Sequence, residues 1–216
     1  MNTRSFILLL ALTSATCLAP STQAQTADNL KSADELVRAW DRPLTRSARV
    51  TTRSTTASKV VIDNYRTVAS SVATRGGTDR TRGIEVVPIN QSEVQVSVEV
   101  EPQSAVSFDN ILFKLDTDEF LDENSRQQVL IIAQAMNKLS GVAFLIEGHT
   151  CDLGTDDHNK TLSVQRAARI VSVLKSAGVN AERLLPLGFG ETSPEVANTN
   201  ETSRQKNRRV TIYKRS

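Results

Sequence analysis

Cysteine is almost missing from this chain: its 216 residues hold two, Cys17 and Cys151. If Cys17 is lost with an export leader, the remaining thiol has no internal partner and no disulfide staples the fold. Aromatic residues make up only 4%, with Trp40 the single tryptophan, so a core must be built mainly from aliphatic side chains. No apolar run approaches the roughly 20 residues of a membrane-spanning helix. The formal net charge is only +2, too small to argue for nucleic acid as a partner.

What is present divides the chain. Met1 to Ala24 reads as a secretory signal peptide, with Arg4 in its basic start, Phe6 to Leu12 as its apolar core and Thr22-Gln23-Ala24 as a small-x-small cleavage site. Lipidation at Cys17 is the rival reading, and Ser14-Ala15-Thr16 suits it poorly because Thr16 is bulky for that cleavage. Residues 25–83 read as a short helix followed by a basic, flexible region. The helix starts at a capping-box pattern, Ser32-Ala33-Asp34-Glu35, and stops at Pro43. From Arg42 to Arg82 the chain is rich in Ser, Thr and Arg and poor in large apolar residues, so little burial offsets its chain entropy. Residues 84–104 read as strand or hairpin: Val94, Val96, Val98 and Val100 alternate with polar residues, and Ile84 to Ile89 is the candidate partner strand.

Residues 105–216 carry balanced charge and alternate between strand and helix patterns. Ile111 to Leu115 reads as the first strand, and Asp116-Thr117-Asp118 as a polar turn. Glu123 to Leu139 is expected as a helix with Val129, Ile132, Ala133 and Met136 on one face, stopped by Gly141 at C′. Val142 to Ile146 follows as a strand. A second helix spans roughly Lys160 to Ala177 and ends at Gly178, with Asn159 placed to cap it. Leu185 to Phe189 and Val210 to Tyr213 complete a sheet. The pattern predicts an α/β fold: a two-layer sandwich of a four-stranded mixed sheet with helices on one face.

Three ordered motifs stand out: Gly148-His149-Thr150-Cys151-Asp152-Leu153-Gly154, Leu162-Ser163-Val164-Gln165-Arg166-Ala167 and Asn207-Arg208-Arg209-Val210. In these motifs the stretch from about Val106 to Tyr213 resembles the OmpA-like domain, the peptidoglycan-binding module of bacterial outer-membrane proteins and peptidoglycan-associated lipoproteins. The resemblance implies a non-enzymatic, cofactor-free binding module in the periplasm, associated with the cell wall and outer membrane. Its ligand would be the diaminopimelate of a peptidoglycan stem peptide. Arg166 matches the arginine that grips the diaminopimelate carboxylate, a task suited to the planar two-donor fork of a guanidinium. Asn159, Asp116 and Thr117 match residues lining the same pocket, and Arg209 stands between ligand contact and a structural salt bridge. The departure is at Cys151, where the family carries an Asp for the ligand amine. Asp152, one residue on, is the expected substitute, although neighbouring side chains on extended chain diverge; a Cys151 thiolate favoured by Arg166, or a different ligand, are the alternatives.

Other classes stay open. His149, Cys151, Asp152 and His158 offer metal-ligand atoms at a non-standard spacing, and Cys151 with a histidine base suggests a thiol enzyme without an orienting third group. An OmpA-like domain that has lost its ligand and serves as a protein interaction module is the third. Nothing in residues 25–104 identifies a partner among an outer-membrane protein, an envelope assembly and a second copy of the chain.

Overall fold

The computed structural model describes residues 30–43, 48–55, 84–88 and 93–215. The expected leader with Cys17 and the basic stretch 56–83 lie outside the described residues. Two sheets organise the rest. Strands β1 (Ala48–Thr55), β2 (Ile84–Pro88) and β3 (Glu93–Val100) form an antiparallel three-stranded sheet in the order β1-β3-β2. Strands β4 (Val106–Phe108), β5 (Phe144–His149), β6 (Leu184–Gly190) and β7 (Val210–Lys214) form a four-stranded mixed sheet in the order β4-β7-β5-β6. Only β5 and β6 run parallel. Parallel neighbours need a crossover, and helix α3 (Asp156–Ser176) supplies it.

The expected α/β sheet with helices is present. Helices α1 (Ala33–Trp40), α2 (Glu123–Lys138) and α3 bury one face of the larger sheet through Trp40, Ile132, Met136, Ile170 and Leu174 against Phe144, Ile146 and Ile212. Each such side chain removed from water contributes about 1.5–3 kcal/mol. The other face is covered too. Leu145, Leu185, Leu187 and Phe189 pack against Val96, Val98 and Val100 of β3. The valine alternation that marked β3 as half-buried is therefore a third layer lying on the domain.

Several boundaries differ from expectation. The first strand of the larger sheet is Val106–Phe108, whose register with β7 pairs it to residues 210–212. The expected strand Ile111 to Leu115 instead leaves the sheet, making one bridge from Phe113 to Phe120, whose rings stack at 5.3 Å. Gly141 is not a C′ residue: Leu139 ends α2, and the next turn is closed by the Val142 amide donating to the Leu139 carbonyl. Asn159 does not cap α3, which begins earlier at Thr155, whose hydroxyl accepts from the His158 amide. Gly178 does end that helix, at φ 88°. A further helix, α4 (Glu201–Asn207), starts at an Asn200/Ser203 capping box.

The region before residue 105 is tied to the domain at specific points. Ser32 caps α1 by accepting from the Glu35 amide, and the Trp40 indole donates to the Ser104 carbonyl at 3.1 Å. Gln128 of α2 holds the Lys31 backbone at both its amide and its carbonyl. Within the expected flexible segment, residues 48–55 are strand β1. There Lys160 of α3 donates to Thr52 Oγ1 and to the Gly188 carbonyl, both at 2.6 Å. Among the described residues, no helix is long and apolar enough to cross a membrane.

Burial lowers the Lys160 pKa to about 8. The unfolded chain holds that proton to above pH 10, so between about pH 8 and 10 the unfolded state binds more protons and stability rises with pH. Replacing Lys160 with Met is expected to remove that rise. Urea unfolding at neutral and alkaline pH checks this, and a parallel rise in both proteins would refute it.

Candidate functional site

At the C-terminal end of β5 the sheet register shifts between Gly148 and His149, and the chain turns out as Thr150, Cys151 and Asp152. Glycine is required here because a Cβ on Gly148 would stand 2.2 Å from the Ser163 carbonyl oxygen of α3. That close approach brings the first turns of α3 against the strand end. With the 111–121 loop and the junction of α4 and β7, they enclose a pocket of about 380 Å³.

Arg166 projects into this pocket and is only 8% exposed. Its Nε donates to the Thr117 carbonyl at 3.0 Å and its Nη2 to the Lys114 carbonyl at 3.3 Å, while its guanidinium lies over the Phe113 ring, 5.0 Å from the centroid. Two carbonyls and a ring thus fix the fork, leaving Nη hydrogens for a ligand. Burial first, then the charge of Arg208, lowers its pKa from the ordinary arginine value. A guanidinium with little water of its own and already oriented has the chemistry to meet an anion.

Arg208 is the residue that the sequence motif left in the shadow of its neighbour. Its Nη1 donates to Cys151 Sγ at 3.6 Å, and its Nη2 donates to Glu201 and Gln205, both at 2.5 Å. Burial opposes its charge, but the bonds to Glu201 and Cys151 prevail and raise its pKa. The motif Asn207-Arg208-Arg209 offered two adjacent arginines, and Arg208, which follows directly on α4, is the one beside Cys151. Arg209 borders the pocket but commits its guanidinium elsewhere, to Glu195 at 3.1 Å and to the Ser193 carbonyl at 3.2 Å.

The remaining expected site residues divide. Asp116 lines the pocket in a left-handed turn (φ 60°) and pairs with His158. Thr117 acts through its carbonyl, by holding Arg166. Asn159 is buried beside Cys151 and donates to the Cys151 carbonyl at 3.3 Å and to Glu191 at 2.5 Å, which pins the 150–155 loop. Cys151 is 5% exposed at the pocket wall. Asp152, expected to replace the missing acid, turns away: its carboxylate accepts from Arg204 Nε at 2.9 Å. Past the end of β5 the two neighbours part: Cys151 faces the pocket and Asp152 faces Arg204.

The residues that suggested a metal or a thiol enzyme each have another partner, although His149, Cys151 and His158 line the same pocket. His149 is bonded to Glu147 at 3.3 Å, His158 to Asp116, and the Cys151 thiol to Arg208. Among the described residues, no three His, Cys, Asp or Glu side chains are grouped to hold a metal ion. Three exposed leucines, Leu115, Leu121 and Leu153, border the pocket mouth, a grouping without a mark in the sequence because isolated apolar residues in loops carry no periodicity.

Comparison with known proteins agrees with the motifs. The OmpA family model matches residues 112–208. The outer-membrane lipoprotein YfiB of Pseudomonas aeruginosa is 33% identical over 109 residues, 50% of this chain and 61% of that protein. The peptidoglycan-associated lipoprotein of Haemophilus influenzae is 32% identical over 80 residues, 37% and 52% of the two chains. The chain therefore spans less than two thirds of the length of these relatives. Among solved structures, the C-terminal domain of Helicobacter pylori MotB matches with a TM-score of 0.46 at 29% identity, covering 49% of this chain and 83% of that one. The likeness of this chain to the OmpA family lies in residues 112–208.

Proposed function

We propose that this chain binds peptidoglycan non-covalently in the periplasm and so anchors an envelope protein or assembly to the cell wall. The observation that carries this reading is Arg166: a buried guanidinium fixed by two carbonyls and an aromatic ring at the wall of a pocket. A peptide carboxylate meeting its free Nη hydrogens gains charge-assisted bonds without paying to orient the fork. The match of residues 112–208 to the OmpA family and a relative named peptidoglycan-associated lipoprotein support the choice of ligand, with Asp116, Cys151, Asn159 and Arg166 around it. Residues before 105 then supply the surface toward whatever is anchored.

Co-sedimentation of residues 25–216 with purified sacculi tests it. Replacing Arg166 with Ala is expected to lower the affinity by roughly tenfold or more, the effect of one charged hydrogen-bonding group. Circular dichroism establishes that the variant is folded. Equal pelleting of a folded variant and wild type would remove Arg166 from the site, and absence of wild-type pelleting would remove the function.

A further inference from the structure

We infer that the pocket takes a carboxylate whose neighbouring nitrogen is acylated, and discriminates against one beside a free ammonium. The inference rests on the peptidoglycan reading and narrows it. In a diaminopimelate cell wall these two states are the cross-linked and the uncross-linked stem peptide, because cross-linking converts the side-chain amine to an amide.

The charge pattern leads there. Arg166 and Arg208 both line the pocket. The carboxylates that line the pocket already have partners: Asp116 is hydrogen-bonded to His158, and Glu201 is paired with Arg208 at 2.5 Å. Asp152 is held by Arg204 and is absent from the pocket lining. Between the two arginines stands Cys151, whose sulfur is a weak acceptor and already receives Arg208 Nη1. An ammonium placed here would be desolvated beside two guanidinium groups without an anion of its own. A buried charge in that position is strongly disfavoured. An amide nitrogen carries no charge and needs only one neutral acceptor.

A second observation bears on the same choice. Leu115 and Leu153 are 95% and 56% exposed at the pocket mouth, joined by Leu121 at 54%. Side chains that apolar are ordinarily covered when a partner binds. The acyl group added by a cross-link would bring alkyl surface to that rim, whereas a free amine brings only water.

Isothermal titration of residues 25–216 with two soluble stem tripeptides distinguishes the alternatives. One has the diaminopimelate side-chain amine free and the other has it acetylated. The acetylated peptide is expected to bind roughly tenfold tighter. Replacing Cys151 with Asp is expected to reverse the order, because an anion between the arginines then receives the ammonium. Replacing Arg208 with Gln, which leaves Cys151 in place, should weaken both peptides. Equal or tighter binding of the free-amine peptide by wild type would overturn the inference while leaving the anchoring function intact, provided sacculi still pellet the protein. If neither peptide binds and sacculi do not pellet it, both readings fall together.

Discussion

A Gly148→Ala variant is expected to lose about 3 kcal/mol of stability, the upper end of the usual cost of overpacking and a large share of the stability of a domain this size. The added Cβ would stand 2.2 Å from the Ser163 carbonyl oxygen and 3.1 Å from its carbonyl carbon. No rotamer relieves a clash between a methyl group and a backbone, so α3 must move away from β5 by roughly 1 Å. Such a shift reaches the pocket, because the same helix carries Asn159 and Arg166. The sheet offers little room to compensate: β5 lies inside it, between β7 and β6. Gly188 of the adjacent parallel strand meets the same helix, and a Cβ there would stand 2.5 Å from the Val164 amide nitrogen. Thermal unfolding followed by circular dichroism reads the effect, with a midpoint lower by roughly 10–20 °C. A midpoint within about 3 °C of wild type would show that the helix–sheet contact is softer than its geometry indicates.

Replacing Asn207 with Ala is expected to cost about 3 kcal/mol and to free the loop that precedes α4. Asn207 is fully buried, and its amide makes four hydrogen bonds. Oδ1 accepts from the amides of Glu195 and Val196 at 2.9 and 3.1 Å; Nδ2 donates to the Val196 carbonyl and to Asn198 Oδ1, each at 2.7 Å. Alanine leaves all four partners without their bond, and water reaches them only if the loop opens. The loss should be local at first. Amide hydrogen exchange at Glu195 and Val196 is expected to accelerate strongly, while the buried turns of α2 keep their protection. Unchanged exchange at those two amides would refute the assignment. Since Arg208 and Arg209 follow directly, the variant should also weaken ligand binding without removing any group from the pocket.

These cases separate two kinds of information in the motifs. Gly148 and Asn207 belong to the family signature for backbone reasons, one by close approach and the other by its amide bonds. Arg166 belongs to it through the chemistry it presents. A sequence shows all three alike. The helices α2 and α3, with β5, β6 and β7, were legible because apolar periodicity is a local property and each segment buries one continuous stripe. The strand expected at Ile111 to Leu115 was misplaced because β7 pairs with only the three residues of β4, and its register assigns them to 106–108. An apolar run beside a strand is then left to form the pocket wall.

The order of motifs along the chain determined the family resemblance, the α/β sheet and the arginine expected to hold an anion, since each rests on residue type and spacing. Tertiary structure alone decided which charges face one another. Asp152 went to Arg204 and Arg208 came to Cys151 because partners far apart in the chain compete for each side chain, and their positions follow from packing. The same holds for the third layer, where β3 covers a sheet face whose apolar surface has no mark in sequence to say what will bury it.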